Sequence, residues 1–273
     1  MSGDDRWARL EDDEAVRAAA ERLDQFSSFP SEKLARERYL ASLDPGPGDR
    51  VLEVGAGTGD ISLDIARRVA PDGAVTALDP SAGLLRHARE HARRDGLEDR
   101  IETVVGDARA LPWTEARFDR AFDHWVLLHV DSPAAVIEEL KRVVRPGGRI
   151  VCVEVDWETL VVHPGDPRVT RRVVRANVER QLDGRMGRQL ASLLRGCGFS
   201  DVEVVPIVDV ESEAASPGWL EFLETRIPVA EEAGVSRRAL EKWWGGIRAA
   251  AARGDYFFSL TQFAVSASVP AHS

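Results

Sequence analysis

Gly55, Gly57 and Gly59 stand at alternate positions between the apolar run Val51-Leu-Glu-Val54 and the helical pattern that starts near Asp60-Ile61. Residues without Cβ at that spacing allow a tight turn and close backbone approach to a ligand, and a helix beginning there aims its free N–H groups at that ligand. The dinucleotide fingerprint would need its third glycine where Asp60 stands, and the Lys-Ser/Thr pair of a phosphate-cradling loop is missing. No basic residue occurs from Val51 to Ile65. The loop therefore suits a ligand other than a polyphosphate. Asp79, at the end of the next apolar run, can accept both hydroxyls of a ribose, although it equally fits a turn acid. In Gly106-Asp107-Ala108 an acid can take an adenine amino group while Ala108 leaves room for the ring. Such charge-assisted bonds are worth about 1.5–3 kcal/mol each. Asp123-His124-Trp125 forms a fourth polar cluster.

Placing these residues at one end of a sheet requires alternating strands and helices. Strand patterns fall at 50–54, 74–79, 101–106, 118–124 and 149–155, and helical patterns at 60–70, 81–95 and 132–145. Ser132 and Pro133 sign the last helix as N-cap and first position, and Arg145-Pro-Gly-Gly148 turns the chain into the next strand. The alternation predicts an α/β, doubly wound parallel sheet, with ligands at the carboxyl ends of its strands. Residues 1–44 read as two helices broken at Pro30-Ser31, with Ser31 as N-cap. They fit a lid over the open end of the sheet as well as simple packing on its flank. Asp44-Pro-Gly-Pro-Gly-Asp49 links them to the remainder, 45–273. After Pro164, helices are expected at about 167–182, 187–196, 217–233 and 236–253. Strands are expected at 201–211 and 256–269, so helical insertions occupy about 164–197 and 216–254.

Composition narrows the partners. The 36 basic against 46 acidic residues give a net charge of −10, a field that repels phosphate backbones and argues against nucleic acid. No apolar run approaches the roughly 20 residues of a membrane span, and the first residues lack the apolar core of a signal peptide. Cys152 and Cys197 match no metal or redox spacing. A cytoplasmic protein with reduced thiols and a small-molecule partner is expected, of unspecified oligomeric state.

Taken together, Glu53-x-Gly55-x-Gly57-x-Gly59, Asp79, Gly106-Asp107-Ala108-x-x-Leu111-Pro112 and Arg145-Pro-Gly-Gly148 resemble class I S-adenosylmethionine-dependent methyltransferases. The nearest likeness is to the ubiquinone/menaquinone-biosynthesis-like branch, which includes many small-molecule and natural-product enzymes. It covers about 45–155 well and the remainder loosely. The resemblance implies a Rossmann-like seven-stranded sheet with its last strand antiparallel, helical lid elements at the N-terminus and after strand five, and S-adenosylmethionine as cofactor. It places Gly55, Ala56 and Gly57 at the methionine part, Asp79 at the ribose and Leu84 near the adenine, with Glu53, Pro80 and Gly106 also among the cofactor-binding residues. Asp107 and Ala108 would meet the adenine edge, and Asp123 would lie beside the methionine amine.

Methyl transfer from sulfonium is an in-line displacement, so holding the nucleophile aligned at about 3–3.5 Å supplies much of the rate. A base is needed only where the nucleophile must lose a proton. His124, His129, Glu154 and Asp156 are the catalytic candidates, with His163 further off. Related sugar and natural-product enzymes carry a His-His pair where this chain reads Leu128-His129, so His129 equally fits a buried residue bonded to backbone. Trp125, Trp157, Tyr39 and Arg188 are the substrate-binding candidates, and Trp113 reads as core. Trp125 and Trp157 follow different strands and suggest a pocket for a flat or greasy molecule; one ring could face the sulfonium. The expected function is methylation of a small metabolite, on O or N, in specialised biosynthesis. A cyclase on the same scaffold that binds but does not consume the cofactor, and a non-catalytic binding protein, are the alternatives.

Overall fold

A computed structural model describes residues 12–212 and 217–271. The expectations for 1–11, for 213–216 at the edge of the second insertion, and for 272–273 lie outside these residues. Two helices, α1 (Asp13–Ser28) and α2 (Pro30–Leu43), precede β1 (Arg50–Val54), α3 (Asp60–Val69), β2 (Ala74–Asp79), α4 (Ala82–Arg94), β3 (Ile101–Val105) and β4 (Phe118–His124). A 3-10 turn at Leu127–His129 leads to α5 (Pro133–Val143) and β5 (Val144–His163). Then come α6 (Pro167–Arg180), α7 (Met186–Gly196), β6 (Ser200–Glu211), α8 (Pro217–Glu224), α9 (Arg226–Glu232), α10 (Arg237–Ala251) and β7 (Phe257–Ser268).

The seven strands form one sheet in the order β3-β2-β1-β4-β5-β7-β6. The pairs from β3 to β5 are parallel, and β7 runs antiparallel to both of its neighbours. Val51, Leu52 and Val54 of the central β1 are buried on both faces, the near-continuous apolar pattern of a strand covered on two sides. On one face α2 lies across β5, β6 and β7 while α3 and α4 cover β1 to β3; on the other, α5 and α7 cover β5 and its neighbours. A further layer of α6, α8, α9 and α10 closes over the long end of β5.

Three details depart from expectation. β5 runs to His163 rather than 155, because after a register shift between Asp156 and Val161 it pairs again with Phe257–Ser259. Trp157 therefore lies within β5 and not in a loop after it. The helix expected over 217–233 is two, split at Thr225, since Pro228 lacks the N–H that would bond to the carbonyl of Glu224. Ser31 is not an N-cap: Pro30 takes the first helical position and moves the cap back to Phe29. Ser132 does cap α5 in position, without a side-chain bond. Among the described residues no helix is long and apolar enough to cross a membrane.

Candidate active site

The glycine loop is held from two sides. Gly55, Gly57 and Gly59 all have positive φ (69°, 54° and 80°), a conformation that costs a side-chain-bearing residue energy. Ala56 N donates to Leu78 O at 3.0 Å, and Gly57 N donates to Asp79 Oδ2 at 2.9 Å. The second Asp79 oxygen accepts from Ser81 N at 2.8 Å, next to the N-cap bond from Leu84 N to Ser81 Oγ. Burial pushes the Asp79 carboxyl up to about 6, against those two backbone bonds. Glu53, one strand away, is buried and takes the Ser62 hydroxyl, and burial lifts it to about 8.

The N-terminal helices lie over this loop. Leu23 of α1 packs where a Cβ on Gly57 would reach it at 3.1 Å, and Val16 packs on Gly83 of α4. Leu84 is buried against Ala19, Ala20 and Leu23 of α1. Of the remaining predicted cofactor residues, Gly106 packs on Leu78 and Ala108 is buried, while Pro80 is exposed. Asp107 is exposed at the rim, where the Arg109 guanidinium 2.8 Å away holds its carboxyl below the usual range.

Strand alternation divides the other candidates between the two faces of the sheet. Glu53 is registered with Phe122, so His124 shares the face of Glu53 and Asp79. Val54 is registered with Asp123, and Asp123 with Cys152, so Asp123, Glu154 and Asp156 line the opposite face. Asp123 thus lies beside Cys152 and not beside Asp79. Both of its oxygens are buried, with the Cys152 thiol as hydrogen-bonding neighbour, and burial lifts it to about 7 against that bond. Glu154 Oε1 accepts from Leu127 N at 2.5 Å, fixing the turn after β4; burial and then Asp123 raise its pKa well above the normal range. Asp156, also buried, accepts from Arg188 Nη2 at 2.9 Å, with Glu158 contacting the same guanidinium at 3.0 Å. Two residues predicted to face ligand, Asp156 and Arg188, are therefore each other's partners. His129 closes the 3-10 turn, its N–H donating to Val126 O at 2.9 Å.

On the Asp79 face, His124 is half-buried, with ring centroids 5.3 Å from Tyr39 and 5.2 Å from Trp125. Burial lowers it to about 4. Its Nε2 lies 3.3 Å from Gln262 Oε1, which also accepts from Trp125 Nε1 at 3.2 Å. Gln262 Nε2 donates to Asp209 Oδ2 at 3.3 Å. From α2, the Tyr39 hydroxyl donates to Glu32 at 2.6 Å and Arg36 pairs with Asp64 at 3.0 Å. Burial raises both Glu32 and Asp209 to about 7.

An aromatic enclosure continues from Trp125. Trp157 meets Trp125 edge-on at 5.8 Å and stacks on Phe222 at 5.1 Å; Trp219 stacks on Phe258 at 4.5 Å and meets Phe26 at 6.0 Å. The indole N–H groups of Trp157 and Trp219 are buried without partners among the described residues. Trp125 itself has φ +57°, an uncommon conformation for a residue with a side chain. Sequence reasoning missed Gln262, Asp209, Glu32, Phe26, Trp219 and Phe222. One signal was available: Gln262 interrupts the buried series Phe258, Leu260, Ala264 at the inward register of β7.

These residues fit a nucleoside that carries cations and no phosphate. The glycine turn leaves no Cβ in the way, Asp79 keeps lone pairs beyond its two backbone bonds, and buried carboxyls flank the loop. Residues 51–148 match the methyltransferase domain family. An uncharacterised 37.1 kDa protein of a Streptomyces fradiae transposon is 32% identical over 90% of this chain and 70% of its own length. The demethylmenaquinone methyltransferase of Symbiobacterium thermophilum is 38% identical over 45% of this chain and 49% of that enzyme, so the match spans about half of its length. Among solved structures, the [4+2]-cyclase SpnF is 25% identical with a TM-score of 0.56 over 88% of this chain and 82% of its own. Phosphoethanolamine N-methyltransferase 2 of Haemonchus contortus, solved with S-adenosyl-L-methionine, is 21% identical with a TM-score of 0.61 over 99% of this chain and 60% of its own. Residues 51–148 are thus a methyltransferase domain, set in a fold that the chain shares with these solved structures.

Proposed function

We propose that this protein methylates an oxygen or nitrogen of a small metabolite in specialised biosynthesis, in the cytoplasm, with His124 taking the proton of the accepting group. The observation that carries this reading is the position of His124: it ends β4 on the face of Asp79, half-buried among Tyr39, Trp125 and Phe26. Bound S-adenosylmethionine supplies an electrophilic methyl on a sulfonium. The backbone of Gly55, Ala56 and Gly57 holds its methionine part, Asp79 its ribose, and Asp107 with Ala108 its adenine edge. Burial keeps His124 neutral at pH 7 and thus able to accept a proton. The rings of Trp125, Trp157, Trp219 and Phe222 exclude water and hold a flat or apolar substrate. On the opposite face Glu154 orients the turn after β4, while Asp156 and Arg188 hold α7 to β5. The net charge of −10 argues against a nucleic-acid substrate.

The test is release of S-adenosylhomocysteine across phenols, amines and sugars, with His124→Ala expected to lose turnover while cofactor affinity holds. A cyclisation in the same aromatic enclosure is the second reading, favoured by the likeness to SpnF. A product of unchanged mass formed with substoichiometric cofactor would select it.

A further inference from the structure

The chain His124–Gln262–Asp209 crosses β4, β7 and β6, three strands brought together only by the fold. An indole N–H is only a donor, so the Gln262 atom 3.2 Å from Trp125 Nε1 must be the carbonyl oxygen. The other end of the amide is then NH2, and it faces Asp209 Oδ2 at 3.3 Å. The same carbonyl oxygen, which cannot donate, lies 3.3 Å from His124 Nε2. A hydrogen bond there requires the proton on Nε2, which leaves the lone pair of the neutral ring on Nδ1.

We propose that Gln262 is a positioning residue, itself oriented by Asp209 and Trp125, that fixes His124 in the Nε2–H tautomer and makes Nδ1 the atom that receives the substrate's proton. This rests on the reading of His124 as the base. The proton leaves an O–H or N–H of the substrate, its electron pair stays on that atom, and the ring becomes an imidazolium that still donates from Nε2 to Gln262. The charged groups packed around this unit are Arg36 and Glu32 from α2 and Asp209 from β6. Glu32 takes the Tyr39 hydroxyl and also a hydrogen bond from the Gln262 amide, and Arg36 pairs with Asp64; of these side chains Gln262 is the one in contact with the ring nitrogen.

Nitrogen-15 NMR of histidine-labelled full-length protein at pH 7 tests this, with the His124 signals identified by their loss in His124→Asn. The expected spectrum has a protonated Nε2 and an unprotonated Nδ1. Gln262→Leu removes the acceptor and is expected to mix the tautomers and lower kcat at least about tenfold at unchanged KM for S-adenosylmethionine. Gln262→Glu keeps an acceptor and is expected to restore the tautomer. Asp209→Asn, which leaves an acceptor for the Gln262 amide, is expected to preserve the tautomer in a folded protein. A protonated Nδ1 in the wild type, or a tautomer and kcat unchanged in a folded Gln262→Leu, would overturn the proposal. If Gln262 controls the tautomer as expected but His124→Asn turns over as fast as the wild type, the base assignment fails and the positioning chain stands.

Discussion

The carboxylate of Asp79 accepts a hydrogen bond from the backbone N–H of Gly57 at 2.9 Å, so the acid that ends β2 also fixes the loop that leaves β1. One residue thus shapes the backbone and keeps lone pairs for a further hydrogen bond.

Asp79→Ala is expected to raise the Kd for S-adenosylmethionine about 10- to 100-fold in calorimetry, the loss of about 1.5–3 kcal/mol of charge-assisted bonding. An unchanged Kd would place the ribose elsewhere.

The ligand-free protein is expected to be more stable in mild acid. Burial raises Asp79 from 3.8 to about 6, Asp123 and Asp209 from 3.8 to about 7, Glu32 from 4.5 to about 7 and Glu53 from 4.5 to about 8. A raised folded pKa gives stability that is complete below the unfolded value, near 4, and is lost as pH rises through the folded one. His124, lowered from 6.5 to about 4, acts oppositely and loses stability as pH falls across that window, but the raised carboxyls, Asp60 and Glu154 among them, outnumber it. The Tm without cofactor is therefore expected to fall between pH 5 and 8. The cofactor's ammonium and sulfonium favour ionised carboxylates, so the Tm gain it confers should be larger at pH 8 than at pH 5.5. Equal gains at both values would separate the buried acids from the cofactor site.

Arg188→Met leaves the buried Asp156 without its guanidinium, and urea unfolding is expected to show a loss of about 1–3 kcal/mol. A stability unchanged together with a weakened substrate KM would return Arg188 to the substrate site.

Glu154→Gln keeps an acceptor for Leu127 N and removes an ionisable group, so kcat should remain within a few-fold of wild type. Glu154→Leu strands that N–H and should cost about 1–3 kcal/mol in urea unfolding. If Glu154→Gln abolished turnover while folding normally, Glu154 would be acting as a proton carrier and not as an anchor for the turn.

The glycine loop was legible because its signals are local. Gly55, Gly57 and Gly59 follow one strand directly, and their spacing predicts the tight turn they adopt. The surroundings of His124 and Asp156 were not, since their partners are distant in the chain. Gln262 lies 138 residues from His124, Arg188 lies 32 from Asp156, and no periodicity announces either pair. Asp123 and His124 are adjacent in sequence yet face opposite sides of the sheet, so listing them as one cluster merged two environments. The length of β5 was hidden by the polar Glu158-Thr159 at its register shift, which ends the apolar pattern before the strand itself ends.

The place of β7 between β5 and β6 also sets an order of events during synthesis. A nascent chain can lay β1 to β5 side by side while the far edge of β5 waits open, and β6 emerges before the strand that must separate it from β5. Such an edge invites pairing with other chains until it is covered. In the arrangement proposed for His124, the same late strand delivers Gln262, so a partly made polypeptide can hold the whole glycine loop and its histidine and still lack the group that orients the ring. Closing the sheet and arming the base become one event.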